Sequence, residues 1–419
     1  MIPSIQGKLR KIIPSFLLSW YHFGLAFLSA LIYSFSSKKL KVIGVTGTKG
    51  KSTVVELAGV ILENAGYKVA SVSSIKFKID KKEWPNKLKM TMPGRFKLQG
   101  FLRKAVKAGC QYAILEVTSE GILQHRQKFI DFDIALFTNL SPEHIERHGS
   151  FEKYRQAKGK LFQATKNIHV INIDDENAEY FLQFPAKKKY TYGLNKGDIN
   201  NKDLQLNLQL IGNFNIYNAL AAICAGMSQG VNLETSKKAL EKVREIPGRM
   251  ETVIEKPFKV IVDYAHTPDS LEKVYQTLKT NNYKLKTARM ICVLGACGGG
   301  RDKWKRPKMG EIAAKYCDKI ILTDEDPYDE NPMEIIKQVA EGAFREISVN
   351  PRRYPRKSAS IYKILDRKEA IKKALEMAKE GDTVIITGKG CEPWMCLANG
   401  KKIPWDDKKI VREAYNLKV

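Results

Sequence analysis

Cysteine is scarce and falls in no useful pattern. The 419 residues hold seven cysteines and six histidines. No two cysteines form a C-x-x-C pair: Cys292 with Cys297, and Cys391 with Cys396, are too widely spaced for a metal ribbon, and the histidines complete no zinc pattern. This excludes a disulfide scaffold and a structural zinc site, and reads as reduced thiols of a cytoplasmic protein. Acidic residues are also short. Forty-five Asp+Glu face seventy-one Lys+Arg, a net charge of +26, which suits anionic nucleotides, an anionic membrane surface or nucleic acid. The lysines are scattered, however, and no nucleic-acid module is recognisable, so a nucleic-acid partner is not expected and a solvated lysine-rich surface is the plainer reading. A hydrophobic content of 43% at this length supports a substantial core and two or three domains.

One glycine is missing where a phosphate-binding loop wants it. In "VIGVTGTKGKSTVVELAG", Val42 to Gly59, a strand-like apolar run meets a Gly/Thr/Lys turn, and apolar residues then recur at helical spacing through Val54, Val55, Leu57, Ala58 and Ile61. Such a strand, loop and helix aims backbone N–H groups, a positive helix end and one lysine at a polyanion. Lys51 would reach the β/γ-phosphates and Ser52 would bind Mg²⁺. The general pattern places a glycine about five positions before Gly50; this chain has Val45 there, with glycines at Gly44 and Gly47. A glycine turn that only lets a helix pack on a strand is the competing reading.

Charge is absent from "IPSFLLSWYHFGLAFLSALIYSF", Ile13 to Phe35, which is flanked by Lys8, Arg10 and Lys11 before it and by Lys38, Lys39 and Lys41 after it. The stretch is just long enough to span a bilayer. It nevertheless holds Ser19, His22, Gly24, Ser29 and Ser34, and its aromatics lie throughout. No small-residue cleavage site precedes Leu40, which argues against a secretory signal. Two readings stay open: a buried or interfacial helix, and a membrane anchor on the inner, anionic leaflet.

Beyond the loop, apolar runs alternate with helical patterns. "YAILEV" (Tyr112 to Val117), "IALFTNL" (Ile134 to Leu140) and "IHVINID" (Ile168 to Asp174) read as buried strands of parallel βα units. A seam falls at "VREIPGRM", Val243 to Met250, after which "KVIVDYA", "ARMICVLGA", "DKIILTD" and "DTVIITGKG" resume the alternation. The expected fold is therefore α/β: an N-terminal apolar segment over 1–39, a phosphate-loop domain with a parallel sheet over 40–247, and a smaller Rossmann-like α/β domain over 248–419. Glu116 ends a predicted strand, and "NLSPEHIERHGSFEKYRQAKGKLF", Asn139 to Phe162, follows another. Their polar groups thus gather at strand C-terminal ends, where open α/β sheets bind ligands. Ser52 and Glu116 offer hard oxygen ligands to a metal, and His144 is a further candidate. Taken singly, Glu116 reads equally as a capping carboxylate, and His144 or His148 as a surface histidine.

Many ordered motifs together resemble one family, the Mur ligases, and within it the UDP-N-acetylmuramoyl-tripeptide synthetases. The resemblance runs from about Lys41 to the C-terminus. "GTKGKST", Gly47 to Thr53, resembles the family's short phosphate loop, whose tighter glycine spacing accounts for Val45. It implies ATP contacts from Gly47, Thr48, Lys49, Gly50, Lys51, Ser52 and Thr53. "EVTSEGILQHR" resembles the stretch that supplies a magnesium ligand, Glu116, and contacts to the muramoyl substrate from Thr118, Gln124 and Arg126; Thr91 in "MTMPG" belongs with them. In the segment from Asn139 to Phe162, the resemblance implies that His144 binds a second Mg²⁺ and that Lys158 is carbamylated, an added carboxylate for that metal. "GNFNIYNALAA" carries the adenine-side Asn218. Arg249 in "PGRME", with Asp263 and His266 in "VDYAHTPDSL", resembles the hinge and nucleotide contacts of the last domain.

The resemblance implies that ATP activates a carboxylate to an acyl phosphate, which an amino acid's amine attacks to give an amide, ADP and phosphate, in peptidoglycan precursor synthesis. Lys51, Glu116, His144 and Lys158 would carry catalysis, with domain closure aligning the two substrates. The amino-acid acceptor would be selected by Arg301, by the stretch Glu325, Asp326, Pro327 and Tyr328, and by Gly388 and Glu392 in "GKGCE". Tyr328 stands where members that add diaminopimelate have an arginine, which points away from diaminopimelate and toward lysine, with Glu325 and Asp326 tolerating its cation. Other departures are Met92 for a threonine, Glu120 and Cys391 for histidines, and the absence of the family's N-terminal uridine-nucleotide domain. Two further classes compete: a glutamate-adding ligase of the folylpolyglutamate synthase kind, which lacks the "QHR" and "GKGxE" features, and an ATPase without amide synthesis.

Overall fold

The computed structural model describes residues 14–143, 145–281, 288–349 and 360–415. The chain divides into two compact units, one of Met1–Leu140, Ser150–Leu206 and Tyr217–Leu240, the other of Ser141–Gly149, Asn207–Ile216 and Glu241–Val419.

The first unit is built on a nine-stranded sheet. Its strands are β1 (Lys41–Thr46), β2 (Val69–Val72), β3 (Lys76–Ile79), β4 (Lys82–Pro85), β5 (Tyr112–Glu116), β6 (Phe132–Phe137), β7 (Ile168–Asn172), β8 (Lys188–Gly193) and β9 (Ile199–Asn200), in the order β4-β3-β2-β5-β1-β6-β7-β8-β9. From β2 to β9 all pairings are parallel, while β3 and β4 add an antiparallel edge hairpin. β5 and β7 are buried at every residue, and β1 at all but Lys41. That is how strands covered by helices on both faces read in sequence. β1 lies between β5 and β6, with Val45 opposite both Glu116 and Leu136. The strand ends therefore bring Glu116 and Thr138 beside the turn that follows β1.

Helix α1 (Ser15–Ile32) precedes β1, and its Ala26, Ser29 and Ala30 are buried within this unit. Several of its large side chains point the other way: Trp20 is 71% exposed, Tyr21 60% and Ile32 57%. Among the described residues, no helix is long and apolar enough to cross a membrane. Small residues pack one face of the helix into the unit.

The second unit carries a six-stranded sheet of β10 (Glu251–Ile254), β11 (Lys259–Asp263), β12 (Met290–Leu294), β13 (Lys319–Leu322), β14 (Ser360–Lys363) and β15 (Thr383–Thr387), in the order β10-β11-β15-β12-β13-β14. Only the β10 pairing is antiparallel. Its strands alternate two sets of apolar residues. Ile261, Cys292, Leu294, Ile320, Leu322 and Ile385 pack with Leu271, Met309 and Ile336 on one side. Val260, Val262, Ile291, Val293, Val384 and Ile386 pack with Ile371, Ala374 and Val411 on the other. This is a helix–sheet–helix sandwich.

Candidate active site

The turn after β1 has the shape of a phosphate cradle. Residues 47–50 lead into helix α2 (Lys51–Asn64), whose N-cap is Gly50. Gly47 (φ +147°) and Gly50 (φ +83°) occupy backbone conformations that other residues rarely adopt; a Cβ would lie 1.9 Å from Thr138 Oγ1 at the first and 2.3 Å from Asn218 Oδ1 at the second. Val45 belongs to the buried strand, so the glycine that the general pattern wants has no turn to serve here. The end of β6 braces the loop. Thr48 N–H donates to the Asn139 carbonyl at 2.8 Å, and Lys49 N–H to Asn139 Oδ1 at 2.9 Å. The Lys49 carbonyl accepts from Thr138 Oγ1 at 2.7 Å, and Thr48 Oγ1 lies 3.1 Å from the Tyr154 hydroxyl. Lys51 folds over the loop, donating to the Gly47 and Thr48 carbonyls at 3.0 and 2.9 Å, with Glu116 at 3.8 Å. Thr53 is buried in the first turn of α2.

Ser52 and Glu116 converge. Ser52 Oγ donates to Glu116 Oε2 at 2.8 Å and lies 2.7 Å from Ser74 Oγ, while Ser74 N–H donates to the same carboxylate oxygen at 2.9 Å. A hydroxyl and a carboxylate held together beside a phosphate loop are the hard oxygen donors that Mg²⁺ takes alongside phosphate and water oxygens. No cluster of three or more His, Cys, Asp or Glu that could hold a metal occurs among the described residues, so phosphate and water would have to complete such a site. Lys158, in helix α3 (Phe151–Ala164), is 2% exposed, donates to the Gly47 carbonyl at 2.7 Å and sits 4.7 Å over the Tyr154 ring. It is not the exposed helix lysine that its position alone allows. His144 lies outside the described residues.

A second group of predicted residues gathers after β5. Thr118 caps the short helix Ser119–Leu123, accepting from Gly121 N–H. Arg126 donates to Gln124 Oε1 at 2.8 Å and to the Met92 carbonyl, next to Thr91.

In the second unit, Asp263 ends β11 and accepts from Met250 N–H at 2.7 Å and Ala265 N–H at 2.6 Å. Arg249 stacks on Tyr264 at 4.4 Å. His266 Nδ1 lies 2.7 Å from the Tyr264 carbonyl, and its Nε2 3.7 Å from Glu143. The neighbouring Cys297 raises the affinity of Arg301 for its proton further, with Tyr264, Tyr328 and Glu392 adding to it against burial. Gly388 (φ +107°) lies directly against Glu325, whose Oε2 would stand 1.9 Å from a Cβ there. Burial pushes the Glu325 carboxyl up, with Cys297 Sγ donating to it at 3.2 Å. Asp326 is taken as well: the buried Lys389 ammonium donates to it at 2.9 Å, to Glu392 at 2.9 Å and to the Trp394 carbonyl at 2.6 Å, and Cys396 N–H adds 2.7 Å. The two acidic residues therefore do not form an open cation site. Tyr328, in the left-handed region (φ +53°), packs its ring on Gly299.

Sequence reasoning misses the loop brace Thr138, Asn139 and Tyr154, the Glu116 partner Ser74, and Lys389. Thr138, Asn139, Tyr154 and Lys389 lie inside quoted motifs, but the partners Lys49, Thr48 and Asp326 are far from them in sequence.

A glycine turn of phosphate-loop type at the strand ends of one α/β unit, with a second α/β unit in the same chain, marks a nucleotide-binding class of α/β protein. The Mur ligase middle domain matches residues 45–226 and the Mur ligase, glutamate ligase domain matches residues 248–390. The UDP-N-acetylmuramoyl-L-alanyl-D-glutamate--2,6-diaminopimelate ligase of Syntrophomonas wolfei is 38% identical over 94% of this chain and 82% of its own. The UDP-N-acetylmuramyl-tripeptide synthetase of Roseiflexus sp. is 34% identical over 93% and 81%. A solved UDP-N-acetylmuramoyl-L-alanyl-D-glutamate--2,6-diaminopimelate ligase superposes with a TM-score of 0.58 at 32% identity, over 90% of this chain and 78% of its own. The folylpolyglutamate synthase of Mycobacterium tuberculosis, at TM-score 0.66 and 15% identity over 87% and 91%, shares the fold. The chain belongs to the Mur ligase family, ATP-dependent, Mg²⁺-requiring, ADP-forming amide ligases of peptidoglycan precursor synthesis.

Proposed function

We propose that this ligase joins an amino acid to the terminal carboxylate of a muramoyl-peptide acceptor in the cytoplasm. The observation that carries the reading is the convergence of Lys51, Ser52, Glu116 and Lys158 on the Gly47–Gly50 turn. In the first step an acceptor carboxylate oxygen would attack the γ-phosphorus and ADP would leave. Lys51, now resting on loop carbonyls, is the cation within reach of that charge, and the backbone N–H groups of the turn add theirs. Ser52 and Glu116 would hold Mg²⁺, which would supply charge neutralisation at the phosphates. The amine of the second substrate would then attack the acyl carbon, losing a proton as phosphate departs.

Gln124, Arg126, Thr118 and Thr91 are assigned to the muramoyl-peptide, and Arg249, Asp263, His266 and Asn218 to the nucleotide side. Arg301, Gly388 and Glu392 are assigned to the incoming amino acid, with Glu325, Asp326 and Tyr328 shaping its pocket. Tyr328 supports an amino acid without a distal carboxylate, since a neutral hydroxyl makes no bidentate ion pair. Incubation with ATP, candidate muramoyl-peptides and single amino acids, read by mass for an amide product, tests the assignment; product from no muramoyl-peptide would end it.

The outward face of α1 supports a further partner, an anionic membrane surface. Trp20, Tyr21, Leu31 and Ile32 are exposed and Lys38 and Lys39 follow. Aromatic and aliphatic side chains beside lysines are the composition of an interfacial helix, each lysine adding ~1 kcal/mol on an anionic leaflet. Cosedimentation with phosphatidylglycerol vesicles, lost on Trp20→Ser with Ile32→Ser, is the expected outcome; equal sedimentation of both proteins would contradict it.

A further inference from the structure

Helix Ser119–Leu123 ends in a way that costs backbone energy. Arg126 N–H donates to the Gly121 carbonyl at 2.8 Å and His125 N–H to the Ile122 carbonyl at 3.0 Å, which puts His125 (φ +55°) at the left-handed position that glycine usually fills. Four residues on, Phe129 (φ +62°) is left-handed too. Non-glycine residues stay in this region only where the surroundings hold them. Here the surroundings are α1. Ser19 Oγ lies 2.8 Å from His125 Nε2. The Phe23 ring meets His125 edge-on at 6.2 Å and Phe129 at 5.1 Å, and Phe27 meets Phe129 at 5.4 Å. His22 Nδ1 lies 2.8 Å from Arg95 Nη2, which also donates to the Gln124 carbonyl at 2.5 Å. Arg95 begins the helix Arg95–Lys107, an end where the helix dipole disfavours a cation, so its contacts and not the helix favour an arginine there. Just past α1, Ser37 Oγ accepts from Asp131 N–H at 3.1 Å.

We propose that α1 is a clamp that sets the shape of residues 124–129, and that Ser19, His22, Phe23 and Arg95 are positioning residues for the muramoyl-peptide carboxyl substrate. The proposal rests on the assignment of Gln124 and Arg126 to that substrate. Arg126 makes its bonds to the Met92 carbonyl and Gln124 Oε1 from the backbone geometry in which His125 and Phe129 are left-handed. A helix that docks its outer face elsewhere would thus hold the substrate loop with its inner one.

The test is a paired kinetic and exchange measurement on the full chain carrying Ser19→Ala and Phe23→Ala, both exposed positions. The expected result is a KM for the carboxyl substrate raised by at least about fivefold, with the KM values for ATP and amino acid and the saturated kcat within about twofold. Amide hydrogen exchange over residues 124–129 should quicken. Adding His125→Gly, which makes the left-handed position cost-free, should restore much of the KM. Arg126→Ala is the control for the underlying reading. If Arg126→Ala raises the carboxyl KM while the double variant changes neither KM nor exchange, the clamp is overturned. If Arg126→Ala leaves that KM unchanged, the substrate assignment falls and the positioning role with it, even where exchange quickens.

Discussion

The Lys158 ammonium donates to the Gly47 carbonyl at 2.7 Å, joining a buried helix residue to the first turn of the phosphate loop. Gly47 cannot take a side chain because Thr138 already fills that space, so loop and lysine constrain each other. Both the unmodified amine, as a brace, and a carbamate on it, as a metal ligand, would act at this one place. Lys158→Arg keeps a cation but cannot be carbamylated, and it should lower kcat by ~100-fold or more. Activity within a few-fold of the parent would remove Lys158 from the machinery.

Ser52 and Glu116 should govern the Mg²⁺ requirement. Glu116→Gln keeps the shape and an acceptor for Ser52 but removes the charge that a divalent cation prefers. The Mg²⁺ concentration for half-maximal activity should rise roughly tenfold or more, an effect of the size that losing support around a metal produces. An unchanged Mg²⁺ titration would place the metal elsewhere.

Asp324 gives a pH signature to stability. Burial, more than any neighbour, pushes its carboxyl up to about 6 from 3.8, with Asp326 adding to this and Arg367 and Lys389 opposing it. The folded protein therefore holds this proton more tightly than the unfolded chain. The stability from this group is complete below about pH 4 and is lost as the pH rises through about 6, a change on the order of 3 kcal/mol. Asp324→Asn should lack this component. Its melting temperature relative to the parent should climb by a few degrees between pH 4 and pH 7.5, and a constant difference across that range would contradict the shift.

Tyr328 should decide against diaminopimelate. In competition for limiting carboxyl substrate, lysine should be incorporated ahead of meso-diaminopimelate, and Tyr328→Arg should narrow the gap by supplying a carboxylate partner. Preferential incorporation of diaminopimelate by the parent would end this idea, whatever Arg301 does for the α-carboxylate.

Much of this was legible in the sequence. Buried parallel strands advertise themselves as unbroken apolar runs, and the strands expected at Tyr112, Ile134, Ile168 and in the C-terminal part are those that form. The edge hairpin β3–β4 was not: "KFKI" is half-buried, "KEWP" is exposed throughout, and neither carries an apolar run. Charge proved readable, its neutralisation not. Asp326 looked open to a cation because Lys389, 63 residues on, is adjacent only after β15 aligns in the sheet. The apolar stretch before β1 likewise showed how much hydrophobic surface exists but not which side is covered, since that depends on Ala26 and Ala30 meeting the unit while Trp20 and Ile32 do not. The loop brace from Asn139 was hidden for the same reason, its partner Lys49 lying 90 residues away.

The coupling of ATP turnover to the carboxyl substrate tests the central claim most directly. ADP release is measured with ATP and Mg²⁺ alone, then with a muramoyl-peptide, then with amino acid added, for the parent and for Lys51→Ala. The account predicts little ADP release without the carboxylate, sustained release only with both substrates, and loss of that release in Lys51→Ala, which has no ammonium to face the phosphates. Equal ADP release with and without the carboxyl substrate would contradict it.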